Sequence, residues 1–595
     1  MDHNVKYTVQ RYALFALIAT LIFLLLREWT AFSSAYDKRL EQSQQSSSNL
    51  HDLDAKHGTN IPSGITGDDS ATVPSGSDDL PLDLATSDKA TAPDQQAISA
   101  AIISVTTDKL IIKINPRGGR IEQVEMLDHL TEQADTGVPL KLLESSSNRY
   151  YTAIDGLVYR DRTRTENLLF KSTDSSYDFT GQEGASLTLS AIDAKGNKIT
   201  KRYRFPANDY VIQSEITIAN RGQEPWYGRY HGEIVRDNSE DPGSDDAPMG
   251  MRPFLGVATT TPDTPYEKIS LRDIAKENYE QRVEGGSWIA MIQHYFVSAW
   301  IPNQDTAQTI YTRQRQFQQK GINVIGFIGA DHTVEPGSTH TFSATFYAGP
   351  KDQYRLGQLS ENLDLTLDYG FLWWLSQPLY ALLHMFATGE LHIFGKVIDV
   401  FSGFQNWGLA IIALTFVVKA IFYKLSAASY RSMANMRRVQ PKLLALRERY
   451  ASDKQAQSKA MMELYQKEKI NPLGGCLPIL IQMPVFIALY WALIESVELR
   501  HAPFALWITD LSVMDPYFIL PIIMGATMWF QTKMNPTPPD PMQAKIMQWM
   551  PIIFTFFFLW FPAGLVVYWV TNNILSIAQQ CYITKKIEQE NATSS

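Results

Sequence analysis

Lys419 stands inside the apolar run WGLAIIALTFVVKAIFYKL (407–425), with Val417, Val418, Ala420, Ile421 and Phe422 around it. A charge at the centre of a membrane helix costs roughly 2.5–3.5 kcal/mol on insertion scales, and less near an end. Leu425 lies six residues further on, about 9 Å along a helix, so two chemistries compete. The four-carbon stem can lift the ammonium to water. Alternatively, the ammonium lines a wet cavity in the inner leaflet and attracts anionic groups. Thr415 lies at i−4, on the same helical face. Gln482 sits between Pro478 and Pro484, and Thr571, Asn572 and Asn573 follow Tyr568 and Trp569. Each alone is an ordinary interhelical hydrogen-bonding group. Together, Lys419, Thr415, Gln482, Tyr568, Trp569 and Asn572 are the candidate lining of one hydrated groove.

Other chemistries find little support. The two cysteines, Cys476 and Cys581, sit in apolar surroundings, which excludes a disulfide scaffold and a Cys-rich zinc site. The sequence has no HExxH, no GxSxG and no phosphate loop, so no catalytic residue, metal or cofactor is expected. The C-terminal apolar runs contain no Asp or Glu, against a proton relay. They show no inverted repeat, against a secondary transporter. No stretch is long and basic enough to track nucleic-acid phosphates. Two alternatives stay open. A sugar-active enzyme tethered to the membrane requires clustered carboxylates in 101–350, and a transporter requires an outward-open path.

The elements that must position these residues emerge from charge and periodicity. Over 595 residues the chain has 53 Lys+Arg against 62 Asp+Glu. Residues 27–368 carry 33 and 48, while 369–595 carry 18 and 13 together with nearly all the long apolar runs. An acidic hydrophilic half therefore precedes a basic, membrane-like half. Residues 1–36 hold a polar start and the apolar run Tyr12–Leu26, a signal peptide or an uncleaved anchor. Residues 37–100 are rich in Ser, Asp, Gly, Thr and Pro and read as a flexible acidic linker. From 101 to 368 a period of two, as in LIIKIN and ASLTLSAID, broken by PRGGR, DAKGNK and PANDY, predicts a large all-β sandwich. The apolar stretch 285–302, GGSWIAMIQHYFVSAWIP, reads as a buried strand or short helix.

Residues 369–388 have Leu372, Leu375, Leu379, Leu382 and Phe386 at helical spacing, with Trp373 and Trp374 at the start. They read as an amphipathic helix lying in the interface. The core is 400–585, with spans expected at about 407–425, 473–494, 516–532, 546–561 and 565–583. A cytoplasmic helical hairpin occupies 426–470 and a tail 586–595. From Lys424 to Lys469 there are 11 Lys+Arg and four acids, whereas 495–515 has one Arg and four acids. The positive-inside rule then places the hairpin and both termini in the cytoplasm. The count is six spans with the first retained, five with it cleaved.

Four stretches carry a family resemblance: MANMRRVQPKLLALRERYASDKQ, KINPLGGCLPILIQMPVFIALYWALIESVELRHAPFALWITDLS, KIMQWMPIIFTFFFLWFPAGLVVYW and GGSWIAMIQHYFVSAWIP. They closely resemble the YidC/Oxa/Alb family of membrane protein insertases, in its Gram-negative form. The resemblance implies a polytopic α-helical membrane protein of six transmembrane helices, the first uncleaved, with a five-helix insertase core. A periplasmic β-supersandwich accompanies it. It implies a bacterial inner-membrane location and a groove open to cytoplasm and lipid. It implies insertion and folding of nascent membrane proteins, alone or with the Sec translocon and its accessory subunits. Ribosome, signal-recognition-particle receptor and membrane lipids are the further partners implied. Met433, Met436, Arg437, Arg438, Lys442, Arg447, Arg449, Met461 and Met462 of the hairpin are candidate contacts for these. A solvated positive-inside loop with ordinary methionine packing accounts for the same residues. The chain departs from the family pattern TFxVRxxxYPL: TFVVKAIFYKL puts Lys419 at the usual arginine and Lys424 at the proline. Lysine keeps the charge and loses the planar five-donor fork.

Overall fold

The computed structural model describes residues 101–133, 137–241, 254–317, 320–393, 396–450, 453–468, 477–535 and 541–593. The expected N-terminal anchor and the linker 37–100 lie outside the described residues.

The period of two folds as expected into two stacked sheets. In Leu110–Asn115 the side chains of Leu110, Ile112 and Ile114 are buried and their neighbours are not, because successive strand residues face opposite sides. An eleven-stranded sheet runs from Glu280–Val283 through Gln308–Phe317, Lys320–Gly329, Trp226–Asp237 and Tyr150–Tyr159 to Ile103–Thr106 and Ser176–Asp178. An eight-stranded sheet runs from Glu267–Ser270 through Gly256–Thr260, Trp288–Ile292, Phe296–Pro302, Thr339–Pro350, Val211–Ala219 and Lys198–Phe205 to Ala185–Ile192. One core of Ile112, Leu189, Ile234, Trp300 and Phe346 fills the space between them. Across it Lys201, fully buried, pairs with Asp155 at 2.7 Å. The Asp155 carboxylate also accepts from the hydroxyls of Ser214 at 2.6 Å and of Tyr203 and Tyr230 at 3.2 Å each. A buried charge pair survives only when its remaining lone pairs are met in this way.

The stretch 285–302 forms two strands, Trp288–Ile292 and Phe296–Pro302, buried on both faces. Gln293 and His294 occupy the turn between them. The reason for its continuous apolar character is that helical segments cover the outer face of this sheet. Leu356, Leu363, Leu367, Tyr369 and Tyr380 pack on Trp288, Ala290, Val297 and Ala299.

Helix α1 (Gln353–Leu359) starts on Asp352, whose carboxylate accepts from the amides of Tyr354 and Arg355. Next come α2 (Trp373–Thr388), α3 (Trp407–Ile421), α4 (Tyr423–Arg449), α5 (Lys454–Lys467), α6 (Leu477–Ile494), α7 (Ile519–Met534), α8 (Pro541–Phe558) and α9 (Ala563–Thr593). A two-stranded hairpin, Glu390–Ile393 and Lys396–Asp399, separates α2 from α3. The single element expected over 407–425 is instead two. It stops at Ile421, where Phe422 leaves helical geometry and its amide reaches both Val418 and Ala420 carbonyls. The chain then bends by 67° into α4. The turn falls where the apolar run gives way to Tyr423, Lys424 and Ser426. Among the described residues no single helix is long and apolar enough to cross a membrane; α3 and α4 meet that length and composition only as a bent pair.

The helices share a second core of Leu383, Leu414, Val418, Leu489, Met524, Phe558 and Val566. Close backbone approach sets two contacts. A Cβ on Gly408 would lie 2.0 Å from the Phe504 ring, and one on Gly525 would lie 1.9 Å from the Thr555 hydroxyl. The sheets and helices meet at Glu495, Glu498 and Arg500. Buried Lys351, at the end of a strand, pairs with buried Glu495 just past α6. The Tyr380 hydroxyl donates to Glu498 at 2.7 Å, and Arg500 donates to the Leu130 carbonyl at 2.6 Å.

Candidate functional site

Three elements bring the polar residues of the helical region together. Lys419 occupies the last turn of α3, immediately before the bend. Gln482 lies on α6, and Asn572 and Ser576 lie one turn apart on α9. The Lys419 ammonium donates to the Ser576 hydroxyl at 2.7 Å and reaches the Gln482 amide oxygen at 3.5 Å. The Gln482 amide nitrogen donates to the Asn572 side-chain oxygen. The Ser576 hydroxyl in turn donates to the Asn572 carbonyl at 2.7 Å. Lys419 is half-buried, and among the described residues no carboxylate approaches it. A cation held by neutral acceptors keeps its full attraction for an arriving anion.

The remaining candidates part company. Thr415 is buried, and its hydroxyl donates back to the Ile411 carbonyl of its own helix at 2.7 Å, so it does not join Lys419. Helical threonines satisfy themselves this way when no partner lies opposite. Trp569 belongs to an aromatic cluster with Phe486, edge-on at 4.5 Å, and Phe558 at 5.1 Å. Tyr568 is buried, with its ring against Phe486 at 6.4 Å.

Ser576 and Gln580 were not among the expected residues. Asn572, Ser576 and Gln580 recur every four positions and are all buried, so they form one polar stripe along α9. That spacing was readable in the sequence. Gln580 donates to the Asn535 side chain at 3.1 Å, and Asn573, on a neighbouring face, donates to Thr527 at 3.2 Å.

In the α4–α5 hairpin the expected residues divide by exposure. Met436 and Met461 pack with Leu464 and Tyr465 on buried Val439 and Leu443. Met433 is half-buried, whereas Met462 is 61% exposed. Arg437 donates to the Met534 carbonyl, and Lys442 pairs with Glu468 at 2.6 Å. Arg449 lies 5.9 Å from the Tyr450 ring, the Arg447 carbonyl accepts from Gln457 at 3.1 Å, and Arg438 is exposed.

In the β domain, carboxylates cluster at Glu166 and Glu233. Glu233 is fully buried between Arg164 and Arg315, each at 3.4 Å, and accepts from Tyr311 at 2.6 Å. These cations hold its carboxyl well below the usual range despite burial. Glu166 meets Arg164 at 3.2 Å and His231 at 2.8 Å. Both carboxylates are committed to internal cations. Among the described residues no group of three His, Cys, Asp or Glu side chains could hold a metal ion.

Residues 398–590 match the family described as 60Kd inner membrane protein, and residues 102–382 match the YidC periplasmic domain. The Membrane protein insertase YidC of Cellvibrio japonicus is 46% identical over 583 residues, covering 98% of this chain and 99% of that protein. The chain belongs to the YidC family of membrane protein insertases. The Marinobacter nauticus insertase is likewise 46% identical, over 595 residues, with 98% of this chain and 99% of that protein covered. A solved structure described as active YidC insertase with the first transmembrane domain resolved covers 81% of this chain and 92% of its own, at 18% identity and a TM-score of 0.34. The family is an inner-membrane one, and its members of this type carry a periplasmic domain.

Proposed function

We propose that this protein inserts and helps fold integral inner-membrane proteins through the groove around Lys419. The observation that carries the reading is a cation whose partners among the described residues are neutral: Ser576 at 2.7 Å and Gln482 at 3.5 Å. A client brings a polar, often acidic segment to this site. Lys419 attracts its charge, while Gln482, Asn572 and Ser576 replace part of the water it gives up. The cost of moving polar groups partway across the bilayer falls. Apolar client helices then pass into lipid beside α6 and α8.

In this reading the chain has six spans, with both termini and the α4–α5 hairpin in the cytoplasm and the β domain in the periplasm. The bend after Ile421 turns α4 from the membrane direction toward the cytoplasmic surface. Exposed hairpin groups such as Met462, Arg438 and Arg449 face ribosome, targeting receptor and client. The Sec translocon joins for some clients and not for others.

The deciding measurement is insertion in proteoliposomes. Lys419→Glu should abolish insertion of clients with acidic N-terminal tails at normal protein level, and Lys419→Arg should preserve it. Normal insertion by the glutamate variant would refute the groove mechanism. Crosslinking from position 419 to a nascent chain supplies the direct test of contact.

A further inference from the structure

The hairpin Glu390–Ile393/Lys396–Asp399 between α2 and α3 is held firmly at its base. The His392 ring stacks on Tyr354 of α1 at 3.7 Å, with planes within 10°. The Val400 amide donates to the Gly389 carbonyl at 2.9 Å, and those of Phe404 and Gln405 donate to Phe386 and Ala387 at the end of α2. Gly389, at φ +90°, permits this crossing, since a Cβ there would lie 1.9 Å from the Phe401 carbonyl oxygen.

The apolar side chains of its second strand are nevertheless open. Val397 and Ile398 are adjacent on one strand, so they point to opposite faces, yet they are 53% and 48% exposed. Val400, Phe401 and Phe404 continue the strip, each at least 40% exposed. A two-stranded hairpin is marginal in water, and one that exposes an apolar residue on each face, Ile398 opposite Leu391 on one and Val397 opposite His392 on the other, invites association. The strip does not end with the hairpin. Three residues after Phe404 the chain enters α3, whose exposed Leu409 and Phe416 continue the same apolar character. The charged groups lie at the hairpin's margins. Glu390 and Asp399 face each other at its open end, and exposed Lys396 begins the second strand.

We propose that this hairpin and the following Val400–Phe404 segment lie in the outer leaflet of the bilayer. Their side chains pack among acyl chains at the headgroup boundary, and Lys396 lies at the level of the lipid phosphates. This rests on the membrane placement of α3 proposed above. The hairpin is then a lipid foot for the β domain: through His392 and Tyr354 it holds the periplasmic sheets at a set height over the entry to α3.

The test uses the full chain carrying Cys476→Ser and Cys581→Ser, with one reporter cysteine at Ile398, Phe401 or, as membrane reference, Leu409. Val397→Cys replaces either hairpin reporter that fails to fold. Each is labelled with an environment-sensitive fluorophore and reconstituted in phosphatidylethanolamine–phosphatidylglycerol vesicles. Nitroxide on the upper acyl chain should quench positions 398 and 401 as strongly as 409, with blue-shifted emission and no quenching by aqueous iodide. If 409 responds to the lipid nitroxide while 398 and 401 respond only to iodide, the hairpin is in water and the inference fails, with the membrane placement intact. Shielding of 398 and 401 from both quenchers means that protein covers them, and also overturns it. Loss of the lipid response at 409 itself removes the placement on which the inference stands.

Discussion

Lys419 and Ser576, 157 positions apart in the chain, meet at 2.7 Å between the end of α3 and the middle of α9. The contact joins the cation before the 67° bend to the polar stripe of the longest described helix. Any shift of α9 against α3 therefore moves the acceptors around the charge.

Ser576→Ala tests this contact. Among the described residues the ammonium would keep its longer contact to Gln482 alone, and a charged hydrogen bond contributes about 1.5–3 kcal/mol. Thermal unfolding in detergent should show a loss at the low end of that range, because the site is half-buried. Insertion of clients with acidic tails should fall less than in Lys419→Glu. An effect equal to that of Lys419→Glu would mean that the serine, not the charge, governs insertion.

Glu495→Ala should undock the β domain locally. It leaves Lys351 buried without its partner, and breaking a buried pair from one side costs about 3–5 kcal/mol. Hydrogen exchange should rise in Thr339–Pro350 and at the end of α6, while the sheet edge at Ala185–Ile192 stays protected. Uniform exchange across the domain would contradict a localised junction.

Glu498 sets a pH dependence. Its carboxyl group is enclosed although the residue as a whole is half-buried; one oxygen accepts from Tyr380 and the other has no hydrogen-bond partner among the described residues. Burial, with the Asp352 charge adding to it, raises its pKa from 4.5 to about 7. The folded state thus binds this proton more tightly than the unfolded one, so the contribution to stability falls as pH rises from 4.5 through about 7 and is level above. His294 acts oppositely: burial lowers it to about 3, and it favours folding as pH rises toward 6.5. The difference between parent and Glu498→Gln isolates the glutamate. The variant should gain on the parent as pH rises through this window, by on the order of 3 kcal/mol. A difference that does not change with pH would refute the assignment.

Gly408→Leu should disrupt the start of α3. Its Cβ alone would meet the Phe504 ring at 2.0 Å, too close for side-chain adjustment to relieve. Adjacent Asn406 both caps α3 through the Leu409 amide and donates to the Phe504 carbonyl. A loss of several kcal/mol is expected, as for severe overpacking, with protease sensitivity around 500–510. Leu409→Ala, on the exposed side of the same turn, should be close to neutral.

The β sandwich was legible because its signal is local. Alternation as in LIIKIN needs only one face buried and one open, and the strand follows from it. The stretch 285–302 was harder, since a strand covered on both faces loses alternation; the covering α1 and Tyr380 come from elsewhere in the chain. The apolar helices were legible as composition, whereas their ends were not. Ile421 ends α3 through a bend that no proline or glycine announces. The polar residues Lys419, Gln482 and Asn572 stood out because each is costly in apolar surroundings. Which of them touch depends on the rotation of three helices about their own axes, and packing between distant segments sets that rotation. So Thr415, on the correct face by counting, turned inward to Ile411, and Ser576, unremarked in the sequence, became the nearest partner of the charge.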